Sequence, residues 1–166
     1  MNLSLGELEA LCLKAARGAG FPWGLAEDTG RAVRWLQARG ENGAGSLVAL
    51  LEATDGAERT IKSGCPIAIG TFLSDCPINK SMQFDLVHAP ELLAPFLDGM
   101  ARFEVGEPQV TVTPETHAPS DPTHTRADLT PDTYARLDRF AQRTYAPATE
   151  ASRLAGAGTG GLTDND

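Results

Sequence analysis

Apolar positions recur along this chain at two different periods, and the change between them divides it. After Leu3 the apolar residues fall at Leu8, Leu11, Cys12, Ala15 and Ala16, the spacing of one buried helical stripe. Ser4 with Glu7 three residues on forms a capping box, Leu3 and Leu8 form the staple around it, and Gly18 and Gly20 end the helix. Pro22 opens a second helix at a position where its missing N–H costs nothing. Its stripe is Trp23, Ala26, Gly30, Val33 and Leu36, with Trp35 beside it, while Glu27, Asp28, Arg31 and Arg34 fall outside. Glycine inside a helix costs about 1 kcal/mol relative to alanine, so Gly30 implies close backbone packing. The two helices are expected to form an antiparallel hairpin, followed by a third over 45–53 carrying Leu47, Leu50 and Leu51.

From Ile61 the pattern changes. Cys65 to Leu73 is a short apolar run between glycine and Ser-Asp, which reads as a largely buried strand or strand pair. Alternation predicts another strand over 82–88, Pro90 opens a short helix reaching Leu97, and 101–105 pairs with 109–113 as a hairpin. Residues 114–131, rich in Pro, Thr, His and Asp, predict an exposed connection. Helical spacing returns over 131–144 through Tyr134, Leu137, Phe140 and Ala141, capped by Thr130 or Asp132, and a last short helix over 147–154 stops at Gly156. Helices at both ends and strands between them, without βα alternation, predict an α+β fold: a helical hairpin plus third helix, a small mainly antiparallel sheet, and carboxy-terminal helices. Residues 1–166 suit a single domain that ends in a Gly-rich acidic segment, 156–166.

Charge narrows the partners. The net charge of −8 opposes a phosphate backbone, so nucleic acid is not expected. Residues 1–40 carry five basic against four acidic side chains and the remainder nine against eighteen, which makes the amino-terminal third the permissive place for an anion. No stretch approaches the roughly 20 apolar residues of a membrane span, and Glu7 and Glu9 interrupt any leader. A soluble cytoplasmic protein is expected, with Cys12, Cys65 and Cys76 as thiols.

Several constellations invite chemistry and fall short of it. Gly156-Ala-Gly158-Thr-Gly160-Gly161 satisfies G-x-G-x-x-G, but it follows a predicted helix instead of a strand and has five residues after it. Cys-Pro-Ile occurs at 65–67 and 76–78 without the further ligands a zinc site requires, so no metal is assigned. His117 and His124 flank Asp121 in the exposed connection, His88 ends a predicted strand, and no G-x-S-x-G elbow occurs. Asp164, Asn165 and Asp166 offer oxygen ligands without the rest of a calcium loop. Gly18-Ala-Gly20-Phe-Pro-Trp-Gly24 turns between two helices and leaves N–H groups at the start of the second, where anions are attracted.

Lys14 to Glu27 (KAARGAGFPWGLAE) and Thr144 onward (TYAPATEASRLAGAG, ending in TDND) resemble a family of bacterial proteins classed only as a domain of unknown function. The resemblance implies no activity and no cofactor. It does imply that the tail has a role, and the expectation is that it folds against the Gly18–Glu27 turn. The candidate binding residues are Gly18, Gly20, Trp23, Glu27, Glu150, Ser152, Arg153, Gly156 and Gly158, with Arg153 as the anion holder. The leading expectation is a binding or accessory protein for a small polar or anionic metabolite. The alternatives are a hydrolase or lyase using Glu150 or Asp75 with Arg153, and a structural homodimer or complex subunit anchored on Trp23 or Trp35.

Overall fold

The computed structural model describes residues 1–85, 88–106 and 109–145. The capping box forms as its sequence predicts: the Ser4 hydroxyl accepts the Glu7 N–H at 3.2 Å, and the Glu7 carboxylate accepts the Ser4 N–H at 2.7 Å. Those bonds hold the Glu7 carboxyl below the ordinary carboxylate value. Helix α1 (Leu5–Gly18) follows, then α2 (Trp23–Ala38) and α3 (Gly43–Ala53). The α1–α2 hairpin is antiparallel, with Arg34 on α2 reaching back to Glu9 on α1 at 2.8 Å. Gly30 is placed as its cost implies, since an added Cβ would stand 2.8 Å from the Glu9 carbonyl oxygen.

The run from Cys65 to Leu73 is a helix, not a strand: α4 (Pro66–Asp75). Pro66 opens it at the first turn, where proline is tolerated. It lies between two cores, Ile67 buried in one and Ile69 and Leu73 in the other, so no single polar face marks its period. A short apolar run of this kind cannot be told from a buried strand by spacing alone.

Strand β2 (Met82–Asp85) covers the first part of the predicted 82–88 strand. Pro90–Leu93 is a 3₁₀ turn that leads into α5 (Ala94–Leu97). Strands β3 (Ala101–Val105) and β4 (Gln109–Pro114) pair antiparallel as expected, and β2 joins the other edge of β4 to give the order β2-β4-β3. Phe84, Val110 and Val112 face inward onto Ile69, Leu73, Leu93 and Leu97, forming the smaller core. The larger core is helical, with Leu8, Cys12, Val33, Leu36, Leu47, Leu51, Leu137 and Phe140 fully or almost fully buried. Each such side chain contributes about 1.5–3 kcal/mol relative to exposure, so α1 is held chiefly by packing. The architecture is α+β with small antiparallel sheets.

The Pro/Thr-rich connection is exposed over most of its length, yet it is tied down at several points. The Thr123 and His124 N–H groups both donate to the Ala38 carbonyl, at 2.7 and 2.8 Å. Arg39 stacks 3.8 Å from the Trp35 ring centroid, gives its Nε–H to the Ser120 hydroxyl at 2.7 Å, and donates to the Ser120 and Trp35 carbonyls. Asp98 accepts the Ser120 N–H at 3.1 Å and lies 3.8 Å from the Arg39 guanidinium. His117 accepts the Gly99 N–H on Nε2 at 3.1 Å, which fixes Nδ1 as the protonated nitrogen, donating to the Glu115 carbonyl. The segment then enters a short strand that its composition does not signal, β5 (Arg126–Asp128), paired antiparallel with β1 (Asn2–Ser4). Helix α6 (Pro131–Ala141), capped by the Thr130 hydroxyl, packs across α1 and ends in a 3₁₀ turn, Gln142–Thr144.

Candidate functional site

The turn between α1 and α2 is built from backbone constraints. Gly18 packs directly on α6: a Cβ there would stand 1.8 Å from the Phe140 carbonyl oxygen and 3.3 Å from the Arg143 Cβ. Gly20 has φ +90°, a conformation that disfavours any side chain. The Phe21 N–H then returns to the Ala16 carbonyl at 3.0 Å, with the Phe21 ring fully buried. Pro22 has no hydroxyl or carboxylate to offer, so α2 starts without a side-chain cap. The N–H groups of its first turn therefore point toward the surface beside Trp23 and Gly24.

Positive charge collects around this turn. Arg17 donates to the Phe21 carbonyl at 2.6 Å and lies 5.4 Å from the centroid of Trp23. Trp23 is 61% exposed and gives its indole N–H to Glu27 at 2.8 Å. Lys14 meets the Tyr145 hydroxyl at 3.5 Å, and Arg143 pairs with Asp55 at 2.8 Å. That contact holds the Asp55 carboxyl below its ordinary value.

Beneath the turn sits a residue the sequence reading did not single out. Arg59 is only 8% exposed, stacks 4.8 Å from the Phe21 centroid and donates to the Ala19 carbonyl at 3.3 Å. Its Nε–H is buried and has no partner among the described residues. Burial pulls its pKa down, opposed by the nearby Cys65 and Asp55, but a guanidinium stays charged at neutral pH. A buried cation with an orphan donor is costly unless an anion completes it.

Residues 3–66 match the family model described as "Protein of unknown function (DUF3726)". The match spans α1, α2, α3, the Gly18–Gly24 turn and Arg59, and it stops as α4 begins. The amino-terminal motif lies within it and the carboxy-terminal motif beyond it. No curated protein and no solved structure matches the chain.

The structure brings four of the predicted site residues, Gly18, Gly20, Trp23 and Glu27, to one turn. Glu150, Ser152, Arg153, Gly156 and Gly158 lie outside the described residues. Tyr145, the last described residue, lies with its hydroxyl 3.5 Å from Lys14 of α1. Asp75 lines a different cavity, of about 470 Å³, together with Asp28, Thr71 and Ser74. Asp28 there already accepts from Thr71 at 3.1 Å and from Arg31 at 2.9 Å. All three cysteines are free thiols. Burial pushes Cys12 and Cys65 above the ordinary thiol value, which removes their nucleophilic form. Among the described residues no group of three His, Cys, Asp or Glu side chains is placed to hold a metal ion, and no helix is long and apolar enough to cross a membrane.

Proposed function

We propose that this protein binds a small anionic metabolite through a carboxylate or phosphate group, at the junction of the Gly18–Glu27 turn and the segment 146–166. The observation that supports the reading is Arg59, a buried guanidinium against the Ala19 carbonyl and the Phe21 ring of this turn, whose Nε–H has no acceptor among the described residues. An anion seated there meets the Arg59 donor, the amino end of α2 and the flanking charge of Arg17, a combination that favours negative groups. Glu150, Ser152 and Arg153 supply the remaining contacts in this proposal, with Gly156 and Gly158 letting the tail approach closely. The protein acts as a cytoplasmic, single-domain accessory component, not as a nucleic-acid binder. Trp23, exposed beside the same turn, favours a second reading in which the turn is the face of a homodimer.

Thermal unfolding in inorganic phosphate tests the first reading. A ligand at about a hundred times its dissociation constant stabilises the folded state by about 2.7 kcal/mol, which for a chain of this size moves the midpoint by about 5 °C or more. Phosphate is expected to raise the midpoint of the full chain, to leave that of Arg59→Met unmoved, and to lose most of its effect when 156–166 are deleted. An equal rise in all three chains removes the proposal. Sedimentation of the full chain at two concentrations checks the homodimer.

A further inference from the structure

The α2 helix presents a second surface, remote in character from the turn. Trp35 is half-buried and lines four separate cavities among the described residues. The largest of the four, about 840 Å³, runs between the start of α1, the outward face of α2 and the 122–125 stretch of the exposed connection. A volume of that order accommodates one small molecule. Its charged lining is Arg31, Arg34 and Arg39 with Glu9, and each arginine has a carboxylate beside it: Glu27 and Asp28 for Arg31, Glu9 for Arg34, and Asp98 at 3.8 Å for Arg39. Its apolar surface comes from Trp35, Leu5, Ala38 and Pro122.

Both walls are held in place before any ligand arrives. Arg39 lies on the Trp35 ring and is pinned by Ser120, with both Arg39 and Asp98 side chains only 16% and 14% exposed. The opposite rim is fixed by the paired N–H bonds of Thr123 and His124 to Ala38. Gly40, at φ +82°, lets the His124 ring sit against the backbone, 3.0 Å from where a Cβ would stand. Arg31 and Arg34 project from the floor, their side chains 62% and 54% exposed. Arg31 gives one N–H to Asp28 and one to Glu27, Arg34 gives one to Glu9, and a guanidinium has five, so both keep donors for a ligand.

From this arrangement we infer that the groove along α2 is a binding site for small organic anions with a flat apolar body, the ring lying against Trp35 and the carboxylate or phosphate on Arg31 and Arg34. Stacking supplies orientation and the arginines supply charge selection, and neither requires the walls to move. This site does not use Arg59, and it meets the turn only through the Arg31–Glu27 pair.

Calorimetric titration of the full chain with naphthoate, and with naphthalenemethanol as its uncharged analogue, tests the inference. Naphthoate is expected to bind saturably and about tenfold more tightly than the alcohol, and Arg31→Gln combined with Arg34→Gln to weaken it by about tenfold, the loss of a charge-assisted hydrogen bond. Hydrogen exchange in the same complex is expected to show new protection over 31–39 and 118–126. Equal affinity for acid and alcohol, unchanged affinity in the double variant, absence of saturation, or protection confined to 17–27 would each overturn the assignment.

Discussion

Arg39 and Arg59 are both mostly buried, and both lie flat on an aromatic ring, Trp35 in one case and Phe21 in the other. They differ in what their donors meet. Arg39 has a hydroxyl, two carbonyls and the Asp98 carboxylate, and it fastens an exposed segment to the helical core. Arg59 has one carbonyl at 3.3 Å and a buried Nε–H without a partner among the described residues. Similar burial and similar stacking therefore mark two different roles. A completed guanidinium is a structural clamp, whereas an incomplete one is the feature on which the proposal of an anion site rests.

Substitutions separate the two regions by size of effect. The largest belongs to the turn itself: Gly18→Ala drives a methyl group to 1.8 Å from a backbone oxygen and is expected to cost about 4 kcal/mol in denaturant unfolding, near the upper end for single changes. Gly24→Ala, one turn away with open space around it, is the control and is expected to be close to neutral. Next comes Arg39→Met, which leaves Asp98 poorly compensated and is expected to cost about 2–3 kcal/mol. Arg59→Met is expected to stay within about 1 kcal/mol of the parent, or to stabilise it, because an apolar side chain relieves the orphan donor. If Arg59→Met costs as much as Arg39→Met, the distinction between clamp and receptor fails.

Acid sharpens the contrast least but most simply. Hydrogen bonds from Arg136 and Arg143 hold the Glu52 and Asp55 carboxyls below their ordinary values, and both pairs fasten the α6 end of the molecule. A carboxyl depressed in the folded state stabilises it above the unfolded value and loses that contribution as pH falls through the folded one. Below about pH 4 the 131–145 region is thus expected to lose hydrogen-exchange protection before the 115–125 segment does. The reverse order would show that the Arg39 clamp, not the α6 end, is the acid-labile part.

The helical hairpin, the Ser4–Glu7 box and the β3–β4 pair were legible because each rests on short-range rules, and the same rules narrowed the α6 cap to Thr130 or Asp132, of which Thr130 serves. Helix α4 was not, since both its faces are covered and its β-branched Ile67, Ile69 and Thr71 imitate a strand. β1 and β5 span three residues each, too few for alternation to register. The turn stood out through its glycines, although Gly18 turned out to serve contact with α6 as much as reversal of the chain. Arg59 had no signal at all: a lone arginine in a polar loop acquires meaning only when the fold buries it.

The β1–β5 ribbon has a consequence for the order in which this chain folds. It joins positions 126 apart in sequence, so its closure entropy is large and its two short strands return little until both ends are already near each other. Helices α1 and α2, neighbours along the chain, can dock while synthesis is still under way. The ribbon must wait until residue 128 has emerged, which makes sealing of the first strand a terminal step of assembly rather than its nucleus.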